Sequence, residues 1–372
     1  MVTIVMTGAT GFLGSRLLRA LLADETAAVT VLGRDGDRQP LAARLESALR
    51  ACGATEDELL RARGRLTAVP VDLTRPRLGL EQAEHERIAE HADAVWHCAA
   101  AISLVGTVDT LAPVNVTGTR HLTELADRTP AHVPLLYTST AYVAGDTPAG
   151  TNSPVGDAIT GYEQTKQQAE QIVREWADLR QRPAVVLRPS LLATAHPIPD
   201  TAAQQPLSML GTGLSALLDQ APPLLRRALL RKRAGVPRVR LRLQGHPGSH
   251  LNVVPVEYAV DAMLRLALLP HPPGATAYHL VHPEETSAQV LVTAVGELLP
   301  GVELILQPTV DRPNLIESQI NPVLANFLQH NWRSRADPGA PLRRTLPDLP
   351  DPATIDSAYI RAAMNVRLPA PG

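Results

Sequence analysis

The chain has 372 residues, of which 45% are hydrophobic and 19% charged, and this predicts a globular protein with a sizeable core. A formal net charge of −2 and an aromatic content of 3% argue against a nucleic-acid partner, because neither phosphate attraction nor base stacking is favoured. The two cysteines, Cys52 and Cys98, are too few for a disulfide framework. No signal peptide is recognised and no apolar stretch is long enough to cross a bilayer, so we expect a cytoplasmic protein without a membrane span.

Short β-branched segments alternate with amphipathic stretches through the first half of the chain. The predicted strands are residues 2–6, 29–32, 66–71, 94–96, 135–138 and 184–187. Helical periodicity occupies residues 12–23, the insertion 41–63 and the connecting segments 111–126 and 161–179. Because parallel strands need crossover connections, which are right-handed, this alternation predicts an α/β fold with a doubly wound parallel sheet.

A glycine-rich turn joins the first predicted strand to the first predicted helix. Its members are Gly8, Thr10, Gly11, Phe12, Leu13 and Gly14, with the spacing G-x-x-G-x-x-G. Small residues let the backbone approach a pyrophosphate closely, and a helix N-terminus supplies free N–H groups and the positive end of a dipole. The turn therefore predicts a dinucleotide-binding site at the start of the first helix.

The residues after the second predicted strand indicate which dinucleotide is bound. An acidic residue there suits the ribose 2′-hydroxyl of NAD, whereas an arginine suits the 2′-phosphate of NADP. Arg34 follows the strand directly and favours NADP, while Asp35 and Asp37 keep NAD open as the alternative. Arg44, one or two turns into the next helix, is a candidate second phosphate contact, although a solvated helix position would have the same sequence.

A tyrosine and a lysine lie one helical turn apart in the segment 161–179. Tyr162 and Lys166 occupy positions i and i+4 and therefore share one helix face. A tyrosine with its ordinary pKa near 10 is a poor acid at neutral pH, and a neighbouring ammonium would lower that pKa toward the working range. A hydroxyl at the carboxyl end of the fifth strand would complete the site, and residues 137–145 supply several.

Taken in strand order, these motifs resemble an extended short-chain dehydrogenase/reductase over residues 2–192. In that family the catalytic hydroxyl lies five residues before a glycine, which implies Thr140 here, with Ser139 as the fallback. The resemblance implies that Thr140 holds the substrate carbonyl oxygen, that Tyr162 protonates it, and that Lys166 lowers the tyrosine pKa and bonds the nicotinamide ribose. The further cofactor contacts that it implies are Ala99, Ala100, Asn115, Tyr162, Lys166, Pro189 and Ser190.

The segment after the third strand narrows the choice of substrate. Asp72 and Leu73 suit an adenine contact, although Asp72 would also fit an ordinary strand end. Residues 71–80 resemble the D-L-x-x-P-x-L-G-L segment of thioester reductases and fatty acyl-CoA reductases, and the insertion 41–63 is similar to that group. The implied reaction is NADPH-dependent reduction of an acyl thioester, bound to a carrier protein or to CoA, to an aldehyde or alcohol.

Other substrates stay open at this point. Gln167 follows Lys166, where thioester reductases usually have an aromatic residue, so a ketoreductase acting on a polyketide-like or other natural-product ketone is the alternative. A sugar-nucleotide epimerase would need tightly held NAD and an acidic residue in place of Arg34. A non-catalytic cofactor sensor would usually have lost part of the Thr–Tyr–Lys set, which this chain keeps.

The second half of the chain is less regular. We assign residues 1–192 to a dinucleotide-binding Rossmann domain, which residues 250–270 rejoin, and residues 193–249 and 271–372 to a smaller substrate-binding region. The Pro-rich tail 337–352 is predicted to be extended on the surface.

A basic stretch, residues 226–242, contains no acidic residue. It would suit an acyl carrier protein or the phosphates of CoA, or it would form an ordinary solvated face. The histidines in the second half, His246, His250, His279 and His282, show no metal-ligand spacing, so no metal is expected. The family resemblance is also compatible with a homodimer.

Overall fold

A parallel sheet of seven strands forms the centre of the computed structural model, which describes residues 1–37, 39–103, 106–143, 160–231, 239–328 and 337–366. In chain order the strands are β1 (Val2–Thr7), β2 (Ala27–Gly33), β3 (Leu66–Pro70), β4 (Ala94–His97), β5 (Leu135–Thr138), β6 (Pro183–Pro189), β7 (Leu191–Ala193), β8 (Val239–Gln244), β9 (His250–Leu251), β10 (Val253–Pro255), β11 (Gly274–Leu280), β12 (Thr286–Ser287) and β13 (Val302–Gln307). The central sheet has the order β11-β6-β5-β4-β1-β2-β3, with every neighbouring pair parallel. The strand order reverses between β1 and β4, which places a topological switch point at their carboxyl ends.

Helices cover both faces of this sheet. In chain order the α-helices are α1 (Phe12–Ala23), α2 (Leu41–Ala51), α3 (Glu56–Ala62), α4 (Gln82–Glu90), α5 (Val108–Ala112), α6 (Gly118–Ala126), α7 (Gly161–Arg180), α8 (Pro206–Gln220), α9 (Pro223–Leu230), α10 (Val256–Ala267), α11 (Ala288–Leu298), α12 (Leu315–Leu328), α13 (Ala340–Thr345) and α14 (Ser357–Met364). Val5 and Met6 of β1 point to opposite faces, because side chains alternate along a strand. Met6 packs in a layer with α1, α2 and α10, and Val5 packs in a layer with α4, α6 and α7. The predicted doubly wound α/β fold is confirmed.

A second apolar cluster is formed by residues between Ala193 and Met364. It combines α8, α11, α12 and α14 with β8 and β13, which pair in parallel. Leu214, Leu291 and Leu324 are buried in it. The assignment of this part of the chain to substrate binding stays a prediction.

Two predicted elements differ in the structure. The helix predicted over residues 111–126 is divided into α5, a π-helical turn (Pro113–Thr117) and α6, since Pro113 has no N–H with which to continue the regular ladder. The tail predicted to be extended on the surface contains α13, and Leu342 is buried in the layer of α1, α2 and α10. Leu342 and Leu346, four residues apart, give this short helix an apolar face that the flanking prolines conceal in the sequence.

None of the helices in the described ranges combines the length and the apolar composition that a membrane-spanning segment requires.

Candidate active site

The residues predicted from the sequence gather along one edge of the central sheet. Gly8 follows β1, Ala99 follows β4, Thr140 lies just beyond β5 and Ser190 directly follows β6. Because these strands are parallel neighbours, their carboxyl ends meet at the same edge, where open α/β sheets bind ligands.

The glycine turn brings two backbone segments into direct contact. Gly8 has a φ of +76°, in the left-handed region, and a Cβ added to it would overlap the backbone of Cys98 and Ala99. A Cβ added to Gly14 would overlap the carbonyl group of Gly8. Gly11 is the N-cap residue of α1, so no side chain shields the amides of the first turn. This cradle fits the pyrophosphate of a dinucleotide, which binds to backbone N–H groups at a helix N-terminus.

The side chains next to this turn differ in what they could offer to a cofactor. Leu13 is buried in the layer of α1, α2 and α10, and Phe12 is half-buried with the Arg16 guanidinium 4.0 Å from its ring centre. Ala99 donates its backbone N–H to the Thr7 hydroxyl at 3.3 Å. Burial of the Leu13 side chain leaves its backbone as the part that could meet a cofactor, and the cofactor contacts of Phe12 and Leu13 stay predictions.

Arg34 and Arg44 meet beside the glycine turn at the end of β2. The Arg44 guanidinium donates to the backbone carbonyl of Arg34 at 2.5 Å and to the Thr10 hydroxyl at 3.4 Å. Asp35 accepts a hydrogen bond from the backbone N–H of Leu41 at 2.8 Å and thereby holds the start of α2. One carboxylate oxygen of Asp35 is thus engaged with a helix terminus, whereas Arg34 and Asp37 are exposed. The choice between NADP and NAD stays a prediction.

Asp72 serves the local turn after β3. Its carboxylate accepts hydrogen bonds from the hydroxyl of Thr74 at 2.7 Å and from its backbone N–H at 2.9 Å. These bonds hold the pKa of Asp72 below its ordinary value. The carbonyl of Leu73 is bonded to the His121 ring at 2.9 Å, which fixes the segment against α6. The geometry matches an ordinary strand-ending aspartate, and the adenine contact stays a prediction.

A capping box fixes the beginning of α7 and with it the position of Tyr162. The Thr160 hydroxyl accepts from the backbone N–H of Glu163 at 3.2 Å, and the Glu163 carboxylate accepts from the backbone N–H of Thr160 at 2.8 Å. Gly161 is required there because a Cβ would overlap the backbone at Gly106 and Thr107. Tyr162 therefore lies in the first turn of α7, beside the loop that follows β4.

Strand alternation separates the two candidate hydroxyls. Pairing with β6 continues beyond β5, since Ser139 and Ala141 donate their backbone N–H groups to the carbonyls of Leu187 and Pro189. The Ser139 hydroxyl donates to the buried carboxylate of Glu170 at 2.6 Å. Adjacent residues of an extended segment point to opposite sides, so the Thr140 side chain points away from Glu170.

Lys166 is buried behind Tyr162. Its ammonium donates to the carbonyl of Thr138 at 2.5 Å and lies 4.5 Å from the centre of the Tyr137 ring. Burial lowers the pKa of Lys166 to about 8, although Cys98 and the Glu170 carboxylate favour its charged form.

Tyr162 itself does not show the lowered pKa that the sequence predicts. Burial raises the pKa of Tyr162 to about 12, and the carboxylate of Glu163 adds to the shift. The Lys166 ammonium donates to the carbonyl of Thr138, and the charged residue next to Tyr162 in the sequence is Glu163, a carboxylate. The i, i+4 spacing predicts that Tyr162 and Lys166 share a helix face, but it does not predict that the pKa of Tyr162 is raised.

Asn115 joins the loop after β4 to α7. Its side chain accepts from the backbone N–H of Ala101 at 2.7 Å and donates to the carbonyl of Ala101 at 3.0 Å. It also donates to the Thr165 hydroxyl at 3.0 Å, which in turn donates to the carbonyl of Tyr162 at 2.9 Å. Asn115 lies in the π-helical turn, and these bonds make it a brace between the loop after β4 and α7; its predicted cofactor contact stays a prediction.

Three further polar residues support the site, and one of them, His97, belongs to the same segment as Ala99 and Ala100, which the family resemblance implies as cofactor contacts. Glu170 lies one turn beyond Lys166, and the spacing Y-x-x-x-K-x-x-x-E is a signal that could have found it. Asn252 accepts from the Ser190 hydroxyl at 2.7 Å and donates to the carbonyl of His282 at 2.8 Å, so Ser190 is tied to the end of β11. The third residue is His97.

His97 is a fully buried member of a hydrogen-bonded chain. The Thr119 hydroxyl donates to the carbonyl of Asn115 at 2.6 Å and therefore accepts from His97 Nε2 at 3.1 Å. His97 Nδ1 is left to accept from the Thr7 hydroxyl at 2.7 Å. Burial, with the nearby Lys166 charge, lowers the pKa of His97 to about 3, so the ring is neutral. These hydrogen bonds connect Thr7, the residue before the glycine turn, with Asn115, the residue that braces α7.

This buried histidine should make the protein acid-sensitive. Its pKa is about 3 in the folded state and about 6.5 in an unfolded chain, so below pH 6.5 the unfolded state binds a proton that folded His97 excludes. The free energy of unfolding should fall by about 1.4 kcal/mol per pH unit from this residue alone, or roughly 2 kcal/mol between pH 6.5 and 5. In urea denaturation, the free energy of unfolding of His97→Gln should lack this part of the pH dependence. The variant His132→Gln, which replaces an exposed histidine, should retain it. Equal pH dependence in wild type and His97→Gln would contradict the assignment.

Comparisons with known proteins agree with this architecture. The family model described as male sterility protein matches residues 6–263. Isonitrile lipopeptide synthase of Streptomyces coeruleorubidus is 30% identical over 284 residues, which is 74% of this chain and 17% of that protein, so the chain spans a small part of this relative.

Two solved reductase domains share the fold. The terminal R domain from the myxalamid PKS-NRPS biosynthetic pathway has a TM-score of 0.69 and 25% identity, covering 98% of this chain and 90% of that one. A thiolation-reductase di-domain from an archaeal non-ribosomal peptide synthetase has a TM-score of 0.70 and 17% identity, covering 98% and 74%. Together with the family match, these findings show that the chain belongs to the male sterility protein family, a thioester-reductase-like group of NAD(P)-dependent extended short-chain dehydrogenases/reductases.

Proposed function

We propose that this enzyme uses NADPH to reduce an acyl thioester, bound to a carrier protein or to CoA, to an aldehyde or an alcohol. The observation that carries the proposal is that Lys166, one turn from Tyr162 on α7, donates to the carbonyl of Thr138, two residues before Thr140, at the sheet edge that also holds the Gly8–Gly14 cradle. Membership of a thioester-reductase-like family supports the choice of substrate.

Each side chain has a role that follows from its place. When bound, NADPH supplies the hydride that adds to the substrate carbonyl carbon. The Thr140 hydroxyl donates a hydrogen bond to the carbonyl oxygen, and Tyr162 gives that oxygen its proton. Turning the Lys166 ammonium from Thr138 toward Tyr162 would offset the burial that raises the tyrosine pKa. Pro189, at the end of β6, would limit how the nicotinamide ring sits.

The leaving group distinguishes a thioester from a ketone. Reduction of a thioester carbonyl gives a hemithioacetal, which expels the thiol and leaves an aldehyde. A second hydride then gives an alcohol. A ketone has no leaving group, so its reduction stops at the alcohol without releasing a thiol.

We propose an acyl carrier protein as the donor of the thioester. Support comes from the thiolation-reductase di-domain, which joins a reductase to a thiolation domain. The basic stretch supports docking only in part, because Arg240 pairs with Glu303 at 2.9 Å and Arg242 with Glu317 at 2.6 Å. Arg227 of α9 is exposed, whereas Lys232, Arg233 and Arg238 lie outside the described residues.

A substrate panel tests the proposed reaction. Purified protein is supplied with NADPH and, in separate assays, with an acyl-CoA, an acyl carrier-protein thioester, a simple ketone and a nucleotide sugar. Thioester-dependent loss of NADPH absorbance with release of free thiol is the expected result. Turnover of the ketone alone would replace this function by the ketoreductase alternative, and tightly co-purified NAD with epimerised sugar would replace it by an isomerase.

The proposal of NADPH as cofactor is supported by Arg34, which follows β2, and by the Arg44 guanidinium, which donates to the Arg34 carbonyl, while Asp35 is engaged with the start of α2. The Arg34→Ala/Arg44→Ala variant should raise KM for NADPH roughly 10- to 100-fold and change KM for NADH little, since only NADPH loses charge-assisted hydrogen bonds. Arg50→Ala, which removes an exposed arginine of α2 that pairs with Glu46, is the matched control. Equal losses with both cofactors would show that the arginines only support the fold.

A further inference from the structure

Glu170 occupies a buried position in the same stripe of α7 as Tyr162 and Lys166. The three residues are spaced by four, so they succeed one another along one helix face. Glu170 is 2% exposed, and its ionised carboxylate is far too polar to be buried without partners. Its contacts therefore indicate what the residue holds in place.

The carboxylate of Glu170 joins α7 to both neighbouring strands. Arg188 of β6 donates to it through Nε at 3.1 Å and through Nη2 at 2.5 Å, which is a bidentate pair. The Ser139 hydroxyl, just beyond β5, donates at 2.6 Å, and Arg174 of α7 donates at 2.9 Å. Burial would raise the pKa of Glu170, but the Arg188 hydrogen bonds and charge outweigh it and the pKa is lowered.

Stability alone does not account for such a cluster. The free-energy cost of removing a carboxylate and a guanidinium from water is about as large as the stabilisation from their attraction. Apolar residues of similar volume often stabilise the folded state equally or more. The pair instead imposes geometry, because its hydrogen bonds allow one arrangement of α7 over β5 and β6.

That arrangement bears directly on the reacting groups. Ser139 shares its backbone with Thr140, so fixing the Ser139 side chain inward fixes the Thr140 side chain on the opposite side. One turn toward the start of α7, Lys166 reaches the carbonyl of Thr138, the residue before Ser139. Among the described residues, the charged and titratable groups that face Lys166 are Tyr162 and Glu170 on α7, His97 of β4, Cys98 after it and Tyr137 of β5.

We propose that Glu170 is a positioning residue for carbonyl reduction. It turns Ser139 away from the substrate so that Thr140 presents its hydroxyl, and it keeps a negative charge one helical turn from the Lys166 ammonium. This inference rests on the proposed function, and it assigns Ser139 a supporting role in place of the catalytic one.

The Glu170→Gln variant separates charge from shape. Glutamine keeps the size and can still accept from Ser139, but it removes the negative charge near Lys166. We expect kcat to fall roughly 10- to 100-fold, because an amide has one acceptor oxygen and cannot keep both Arg188 hydrogen bonds that align α7 with β6, with little change in the Kd for NADPH. We also expect the basic limb of the activity profile to move down by about half a pH unit or more, because the Lys166 ammonium loses a favourable neighbour. Glu175→Gln, on the exposed side of the same helix, is the control and should change neither quantity.

Two further variants keep the test decisive if Glu170→Gln folds poorly. Ser139→Ala should lower kcat with an unshifted pH profile, since the Glu170 charge remains. Arg174→Gln should move the basic limb upward, because it removes a cation from the cluster. A residue with a merely structural role would change melting temperature and active fraction without moving the profile in opposite directions.

The outcomes distinguish this inference from the proposed function. If Tyr162→Phe is inactive while Glu170→Gln and Ser139→Ala behave like Glu175→Gln, the positioning role is wrong and the proposed chemistry stands. If Tyr162→Phe keeps full activity, the proposed chemistry itself is wrong.

Discussion

Replacing Tyr162 by phenylalanine should lower kcat by a factor of about 100 to 10,000, because the carbonyl oxygen loses its positioned proton donor. The Kd for NADPH should change little, since the cradle of Gly8 and Gly14 lies on a different strand end. Single-turnover kinetics and fluorescence titration with NADPH measure the two quantities separately.

The control is Tyr258→Phe, which removes the hydroxyl of a half-buried tyrosine on α10. Its activity should stay close to that of the wild type. The Tyr162→Phe loss should also be the same at every saturating cofactor concentration, because binding is intact. A Tyr162→Phe enzyme with normal turnover would remove the acid–base assignment.

Adding one methyl group to the glycine turn should have the second largest effect. A Cβ at Gly14 would overlap the Gly8 carbonyl, whereas a Cβ at Gly11 would lie 3.3 Å from the same oxygen. Gly14→Ala should therefore distort the cradle and weaken NADPH binding roughly 10- to 100-fold, corresponding to about 1.4–2.8 kcal/mol of overpacking.

Gly11→Ala serves as the near-neighbour comparison and should cost much less. Gly296→Ala in α11 tests general tolerance, because nothing lies within 4 Å of its added Cβ, and it should raise stability by about 1 kcal/mol. Isothermal titration of NADPH and thermal melting distinguish binding from folding. Equal affinity in Gly14→Ala and Gly11→Ala would mean that the turn does not hold the pyrophosphate.

Local patterns in the sequence were sufficient for the first six strands of the sheet and for the glycine turn. Buried parallel strands are continuous β-branched runs, and a strand that leads through closely spaced glycines into a helix is typical of a dinucleotide-binding turn. The seventh strand, β11 (Gly274–Leu280), was missed because it pairs on one side only, begins at a glycine and contains a single large aliphatic residue. Helix α8 was missed because prolines and glutamines precede its apolar face.

The sequence predicted which residues lie at the site better than it predicted the hydrogen bonds that they make. Tyr162 and Lys166 are neighbours through helix geometry, which spacing determines. The direction of the Lys166 ammonium depends on Thr138, which is 28 residues away in sequence. The Glu170–Arg188 pair and the hydrogen bond from Ser139 to Glu170 depend on contacts between different elements. Such contacts leave no local pattern in a single sequence.

Transfer of deuterium from NADPH labelled at C4 of the nicotinamide tests the central claim most directly. A pantetheine-linked acyl thioester is incubated with the purified enzyme and each of the two C4-labelled forms, and the product is analysed by mass spectrometry beside a thiol assay. We expect deuterium on the former carbonyl carbon from one labelled form only, together with release of the thiol. An unlabelled product, or labelled product without thiol release, would contradict thioester reduction by this enzyme.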